Sequence, residues 1–163
     1  MNNSRKVATY SLLISLCLIL SYVEAIIPFN FAIPGIKLGL SNIVVLFTLY
    51  KLGVKSAFCI NLLRILLAGF LFSHPVTIIY SLCGGFLSFL GMVITKSTKI
   101  LSPISVSVTG GVFHNIGQII AASVMLSSDK VVYYLPVLLF FGLITGLLTG
   151  YVGAIVVERT TNI

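Results

Sequence analysis

The side chains that could do chemistry in this sequence are few, and most of them stand within long apolar runs. Three ionisable residues, Glu24, Arg64 and His114, interrupt such runs. An ionised group in hydrocarbon is costly, so a residue of this kind usually faces a protein interior or a water-filled cavity. These three residues are therefore the first candidates for a binding site within a bundle of helices.

Amide side chains accompany them at similar depth. His114 and Gln118 are four residues apart, so they share one face of a helix, and Asn115 adjoins them. Arg64 lies eight residues before Phe72, which puts it roughly 12 Å below the end of its helix at about 1.5 Å of rise per residue. The residues predicted to bind a small molecule are Glu24, Lys37, Asn42, Arg64, His114, Asn115 and Gln118.

The segment Pro34-Gly35-Ile36-Lys37-Leu38-Gly39 places irregular backbone and a positive charge before a helix. Free N–H groups at a helix N-terminus favour anions. Because Arg64 and Lys37, with His114 when protonated, outnumber Glu24, a cavity here favours a ligand with negative charge. Two alternatives stay open. Glu24 and Arg64 could form a structural ion pair. Alternatively, Glu24 could neutralise the charge of Arg64 and leave a cavity suited to neutral molecules.

Catalytic signatures are missing. The chain has one Asp, Asp129, and two Glu, Glu24 and Glu158, so no carboxylate cluster can hold magnesium on a diphosphate. It has no phosphate-binding loop, nucleophile elbow or metal-ligand spacing of Cys and His. Cys17, Cys59 and Cys83 stand in apolar runs as small hydrophobic residues. We predict a protein that is not an enzyme and that holds no metal or cofactor.

The amino-acid composition indicates whether water or lipid surrounds the folded protein. The chain is 58% hydrophobic and 8% charged, against roughly 45–50% and about 25% in soluble domains. The lipid bilayer must therefore cover most of its surface. The net charge of +7 does not indicate nucleic acid, because its ten Lys and Arg are scattered in ones and twos. One transmembrane domain, residues 1–163, accounts for the length.

Hydropathy and helix-breaking residues divide the chain into six spans. Proline and glycine mark the breaks, at Pro28, Pro34-Gly35, Gly53, Pro75 and Pro103. The second span is short for a bilayer. The fold class predicted is an all-α integral membrane protein, a six-helix bundle with spans at about 7–27, 38–51, 53–72, 75–95, 103–126 and 133–157.

The positive charges predict an orientation. Basic residues in short loops accumulate on the cytoplasmic side. With the N-terminus inside, seven lie on that side and two, Lys37 and Lys130, lie outside. The seven are Arg5, Lys6, Lys51, Lys55, Lys96, Lys99 and Arg159. We predict a multi-pass protein of the cell membrane with both termini in the cytoplasm.

Small residues recur every four positions in two of the spans. Gly142, Gly146 and Gly150 form one such row, and Gly84 with Ser88 forms another. This spacing lets helices approach closely. We predict that these glycines serve helix packing.

Five motifs resemble the Gx transporter family, which is also named heptaprenyl diphosphate synthase component I. The likeness covers nearly the whole chain, and the motifs themselves contain most of the candidate binding residues. The motifs are IPGIKLGLSN at 33–42, NLLRILLAG around Arg64, YSLCGGFLS at 80–88, LSPISVSVTGGVFHNIGQ at 101–118 and YLPVLLFFGLITGLLTG at 134–150.

The resemblance implies a fold similar to the substrate-binding S components of energy-coupling factor (ECF) transporters. Such a protein captures a small molecule from outside and works with an ECF coupling subunit and ATPases. The family's other name implies an alternative, a non-catalytic accessory subunit that partners a soluble prenyl diphosphate synthase subunit in isoprenoid biosynthesis. A membrane scaffold for redox or cofactor-attachment proteins is a third possibility.

Overall fold

The computed structural model describes residues 3–27 and 37–160, and all regular structure within them is helical. A short 3-10 helix, Asp129–Tyr134, precedes the last of six α-helices. These are α1 (Asn3–Ile26), α2 (Asn42–Lys51), α3 (Val54–Phe72), α4 (Pro75–Ser97), α5 (Pro103–Leu126) and α6 (Leu135–Arg159). The all-α prediction is confirmed for the described residues.

The helices begin and end where the sequence supplies a reason. Pro75 and Pro103 occupy the first turns of α4 and α5, where a missing N–H costs nothing. Ser102 caps α5, its Oγ accepting from the N–H of Ser105 at 3.3 Å. Gly53 joins α2 to α3 with φ +88°, a conformation that suits glycine.

The second helix is shorter than predicted. Residues 37–39 are not helical, residues 40–41 form a turn, and α2 begins at Asn42 rather than at residue 38. Gly39 has φ +70°, and its C=O accepts from the N–H of Asn42 at 2.8 Å. The left-handed glycine turns the chain, so the apolar character that continues through Leu38 and Leu40 does not extend the helix. Pro28, Pro34 and Gly35 lie outside the described residues.

By length and composition, four of the predicted spans are long and apolar enough to cross a membrane. They are α1, α3, α4 and the run Asp129–Arg159. With 10 residues, α2 is too short, since about 20 are needed for a typical bilayer. The 24-residue α5 is long enough but carries His114, Asn115 and Gln118. It packs between α4 and α6, so its polar side chains have protein rather than lipid as neighbours.

The two halves of the bundle are filled differently. Where α2 ends and α3 begins, buried apolar residues form a core: Val45, Leu46, Leu49, Ala57, Phe89, Met92 and Val106. A smaller cluster of Leu13, Cys17, Val44 and Ile60 joins α1 to α2 and α3. The opposite half, near the end of α1 and the start of α2, contains a polar cavity.

Candidate functional site

A cavity of about 350 Å³ opens among all six helices and the segment before α2. Six of the predicted binding residues line it, namely Glu24, Lys37, Asn42, Arg64, His114 and Asn115. Hydroxyl groups add to its polar surface, among them Ser21, Ser41, Ser73, Ser81, Ser88, Thr145 and Thr149. The volume lies within the range of small-molecule sites, roughly 300–1,000 Å³.

Arg64 is held in place by two uncharged neighbours. Its Nε donates to Oδ1 of Asn61 at 3.0 Å, and its Nη1 donates to Oγ of Ser41. The Asn61 amide in turn donates from Nδ2 to the backbone C=O of Gly85 at 3.2 Å, which ties α3 to α4. The other N–H groups of the guanidinium have no partner among the described residues, so they remain available to a ligand in the cavity.

Glu24 is bonded to backbone rather than to Arg64. Its Oε1 accepts from the N–H of Gly39 at 2.8 Å. The end of α1 is thereby joined to the turn that starts α2. Glu24 and Arg64 thus use different hydrogen-bond partners, and the guanidinium charge has no direct carboxylate partner on α1.

Lys37 lies at the mouth of the cavity. Its Nζ donates to Oγ of Ser81 on α4 at 3.2 Å. Nearby protein atoms replace part of the water around the exposed ammonium, and this lowers the pKa of Lys37 from its ordinary value; Glu24 acts in the opposite direction and Arg64 in the same direction. Among the described lining residues, the cations Lys37 and Arg64 face the single carboxylate of Glu24. The balance of charge in the cavity is therefore positive.

The polar residues of α5 divide between the cavity and the helix contacts. Asn115 lines the cavity and also donates from Nδ2 to the C=O of Leu138 on α6 at 2.5 Å. His114 lines the cavity beside Gly84, where an added Cβ would lie 2.9 Å from the His114 carbonyl oxygen. Gln118 is not a lining residue. It is 6% exposed, and its Oε1 has no hydrogen-bond partner in the described part of the chain.

The wall formed by α5 and α6 is built from small residues in close contact. A Cβ at Gly146 would lie 2.7 Å from Cα of Val108, and one at Gly111 would lie 2.5 Å from the C=O of Gly142. Gly150 approaches Ile104 in the same way, at 3.0 Å from its Cα. Such distances leave no room for a side chain, because the opposing atoms belong to the backbone.

Sequence reasoning missed the residues that position the charges, which are Ser41, Asn61 and Ser81. Serine is too common in apolar helices to be a signal. Asn61 could have been found, because it stands three residues before Arg64 and so shares its helix face. Within residues 3–27 and 37–160, no three His, Cys, Asp or Glu side chains form a group that could hold a metal ion.

Comparison with known proteins identifies one relationship. The family described as heptaprenyl diphosphate synthase component I matches residues 13–156. No curated protein and no solved structure matches the chain.

Proposed function

The chain belongs to the heptaprenyl diphosphate synthase component I family, and from that premise we propose that it is a membrane-embedded binding subunit for a small anionic or amphipathic molecule. The observation that carries this proposal is the Arg64 guanidinium. It lines a polar cavity, is oriented by Asn61 and Ser41, and has N–H groups to spare.

A guanidinium suits a phosphate or carboxylate because its planar fork can donate two parallel hydrogen bonds. Lys37 supplies a second positive charge at the cavity mouth. Burying an arginine without an acidic partner is costly, and a bound anion would compensate that cost. The family's candidate residues Asn42, His114 and Asn115 supply polar groups around the same space.

In this proposal, the chain binds and hands over its ligand but does not move it by itself. Its sequence contains no nucleotide-binding loop. Active transport would therefore need a coupling subunit and ATPases, as in the S components that the sequence resembles. Binding from outside requires the cavity to open away from the cytoplasm.

The family description favours one other function, an accessory role beside a heptaprenyl diphosphate synthase. The chain would then present a substrate or product at the membrane to a component II subunit. Mild extraction from membranes and mass spectrometry of the bound proteins separate the two functions. Co-purified ATPases support transport, and a co-purified soluble prenyl synthase supports the accessory role.

The orientation can be tested by labelling. With the native cysteines replaced, we expect a membrane-impermeant maleimide added to intact cells to label Asp129→Cys and not Lys99→Cys. The reason is the excess of Lys and Arg on the side of Lys99. External labelling of Lys99→Cys would show that the topology is the reverse of the one proposed. The cavity would then not open to the outside.

The site is tested by two variants that each remove one charge. Small molecules retained by the purified protein are first identified by mass spectrometry. We expect Arg64→Gln to weaken binding of that molecule roughly 10- to 150-fold, because a charge-assisted hydrogen bond contributes about 1.5–3 kcal/mol. Affinity is measured by isothermal calorimetry.

Glu24→Gln is the matched control. The amide oxygen can still accept from the N–H of Gly39, so the turn is preserved while the negative charge is lost. We expect equal or tighter binding of an anion. If both variants bind as tightly as the parent, or both simply unfold, Arg64 and Glu24 are structural residues and the proposed site is wrong.

A further inference from the structure

One amide at the contact between α5 and α6 faces the cavity in a fixed orientation. Asn115 donates from Nδ2 to the backbone C=O of Leu138 on α6 at 2.5 Å. A carbonyl oxygen can only accept, so the nitrogen of the amide, and not its oxygen, must lie on that side. Nδ2 fills the space over Gly142, where an added Cβ would be 2.7 Å from it. The Oδ1 atom is therefore the end of the amide that points away from the contact with Leu138.

The Oδ1 atom of Asn115 is open to the cavity. Asn115 lines the cavity and is 8% exposed. No donor to its Oδ1 is present within residues 3–27 and 37–160. Over the same ranges, Gln118 Oε1 is the one side-chain nitrogen or oxygen that is both sealed off and without a partner. Since Asn115 Oδ1 has no partner and is not sealed off, this oxygen is available to a ligand in the cavity.

This acceptor complements the charge of Arg64. Arg64 is on α3 and Asn115 is on α5, and both line the same cavity. A guanidinium can only donate, so it binds acceptors on a ligand, whereas an amide oxygen can only accept, so it binds a donor. Because the amide is uncharged, it does not repel an anion held by Arg64, as the carboxylate of Glu24 would. The two residues therefore recognise two different groups of one ligand.

From this arrangement we propose that Asn115 determines specificity, and that the ligand is an anion which also carries a hydroxyl or N–H group. The anionic group binds to Arg64, and the hydroxyl or N–H group donates to Asn115 Oδ1. The inference rests on the proposed function, since it uses the same Arg64 site. A site built to accept a hydrogen bond discriminates against an analogue that lacks the donor, because the acceptor is then buried without a partner.

The test compares anions that differ only in their hydroxyl groups. The full chain is placed in phosphatidylcholine nanodiscs, and calorimetry measures binding of two pairs, glycerol-3-phosphate with propyl phosphate and para-hydroxybenzoate with benzoate. The two pairs place the hydroxyl at different distances from the anion. In at least one pair we expect the hydroxyl compound to bind about three- to tenfold more tightly, as a neutral hydrogen bond allows. A cavity without an open acceptor would favour propyl phosphate and benzoate, because burying an unpaired hydroxyl is costly.

Two amides on α5 provide a matched pair of variants. Asn115→Leu keeps the size of the side chain and removes Oδ1, so we expect it to abolish the preference for the hydroxyl compound while Arg64 still binds both anions. Gln118→Leu makes the corresponding change in an amide that does not line the cavity, and it should leave the preference unchanged. Arg64→Gln should weaken both members of each pair. If Asn115→Leu does not fold, Asn115→Ala takes its place with the same expectation.

The failures are distinguishable. If the anions bind the parent protein but neither pair shows a preference for the hydroxyl compound, or if the preference survives in the Asn115 variant, the inference is wrong and the anion site stands. If the Asn115 variant weakens both members of a pair equally, Asn115 has only a structural role and the inference is again wrong. If no anion binds the parent protein, the proposed anion site and this inference both fall.

Discussion

The two walls of the polar cavity are built on opposite principles. The wall of α5 and α6 is a seam of glycines in which backbone meets backbone, as at Gly146 and Val108. The wall of α1, the turn at residues 37–41 and α3 carries the charges and is held by single hydrogen bonds, such as that from Gly39 to Glu24. One wall has no room for change, and the other depends on a few replaceable contacts.

The difference suggests how such a protein can bind and release a ligand. Close packing transmits force but resists deformation, so the glycine seam provides a fixed surface. Of the 24 residues in α1, only Leu13 and Cys17 are buried. Local opening is easiest where buried contacts are few. We therefore expect the charged wall to move and the seam to stay.

The largest effect is expected from breaking the seam. Gly146→Leu would drive a side chain into the backbone of α5, since even a Cβ would lie 2.7 Å from Val108 Cα. Overpacking typically costs about 1–3 kcal/mol, occasionally more. The neighbouring Leu147 is 52% exposed, so Leu147→Ala should cost much less. Thermal unfolding in detergent compares them, and equal melting temperatures would argue against a packing seam.

A smaller and local effect is expected at the charged wall. Glu24→Ala removes the acceptor for the Gly39 N–H. This hydrogen bond is only partly buried, so we expect its loss to cost no more than the lower end of the roughly 1.5–3 kcal/mol that a hydrogen bond to a charged group contributes. We expect faster hydrogen exchange of the amides in residues 37–41, with exchange in α5 and α6 unchanged. Glu24→Gln should lie between parent and Glu24→Ala. Uniformly faster exchange in all helices would show that the two walls are not independent.

The smallest effect is expected at the cavity mouth. Ser81→Ala removes the 3.2 Å hydrogen bond from Lys37 Nζ, which is exposed to water. Exposed polar contacts contribute little, so we expect less than a threefold change in affinity for an anionic ligand. Calorimetry at two salt concentrations checks this. A loss as large as that of Arg64→Gln would move the centre of the site to Lys37.

Some of this architecture could be predicted from the sequence, for identifiable reasons. Arg64 stands out because a charge within an apolar run has few explanations. The starts of α4 and α5 follow from Pro75 and Pro103, since proline fits the first turn of a helix. The five motifs were sufficient to identify the family from the sequence, and the family model matches residues 13–156.

Other features depend on three-dimensional contacts that hydropathy does not encode. The sequence alone did not show that α2 starts late, because Leu38 and Leu40 continue the apolar pattern past the left-handed Gly39. It did not show that Asn61 orients Arg64 and also bonds to α4, because the second partner is a backbone carbonyl.

The glycine seam has a consequence for how specificity could evolve. A lining residue on α5 or α6 that contacts backbone across the seam cannot be replaced by a larger one, since the larger side chain would displace a helix. Ser81 and Lys37 lie outside the seam and can be exchanged without repacking the bundle. Descendants of one ancestral pocket would thus diverge in ligand by substitution on the charged side alone. Directed evolution toward a new ligand should randomise that side and spare the glycines.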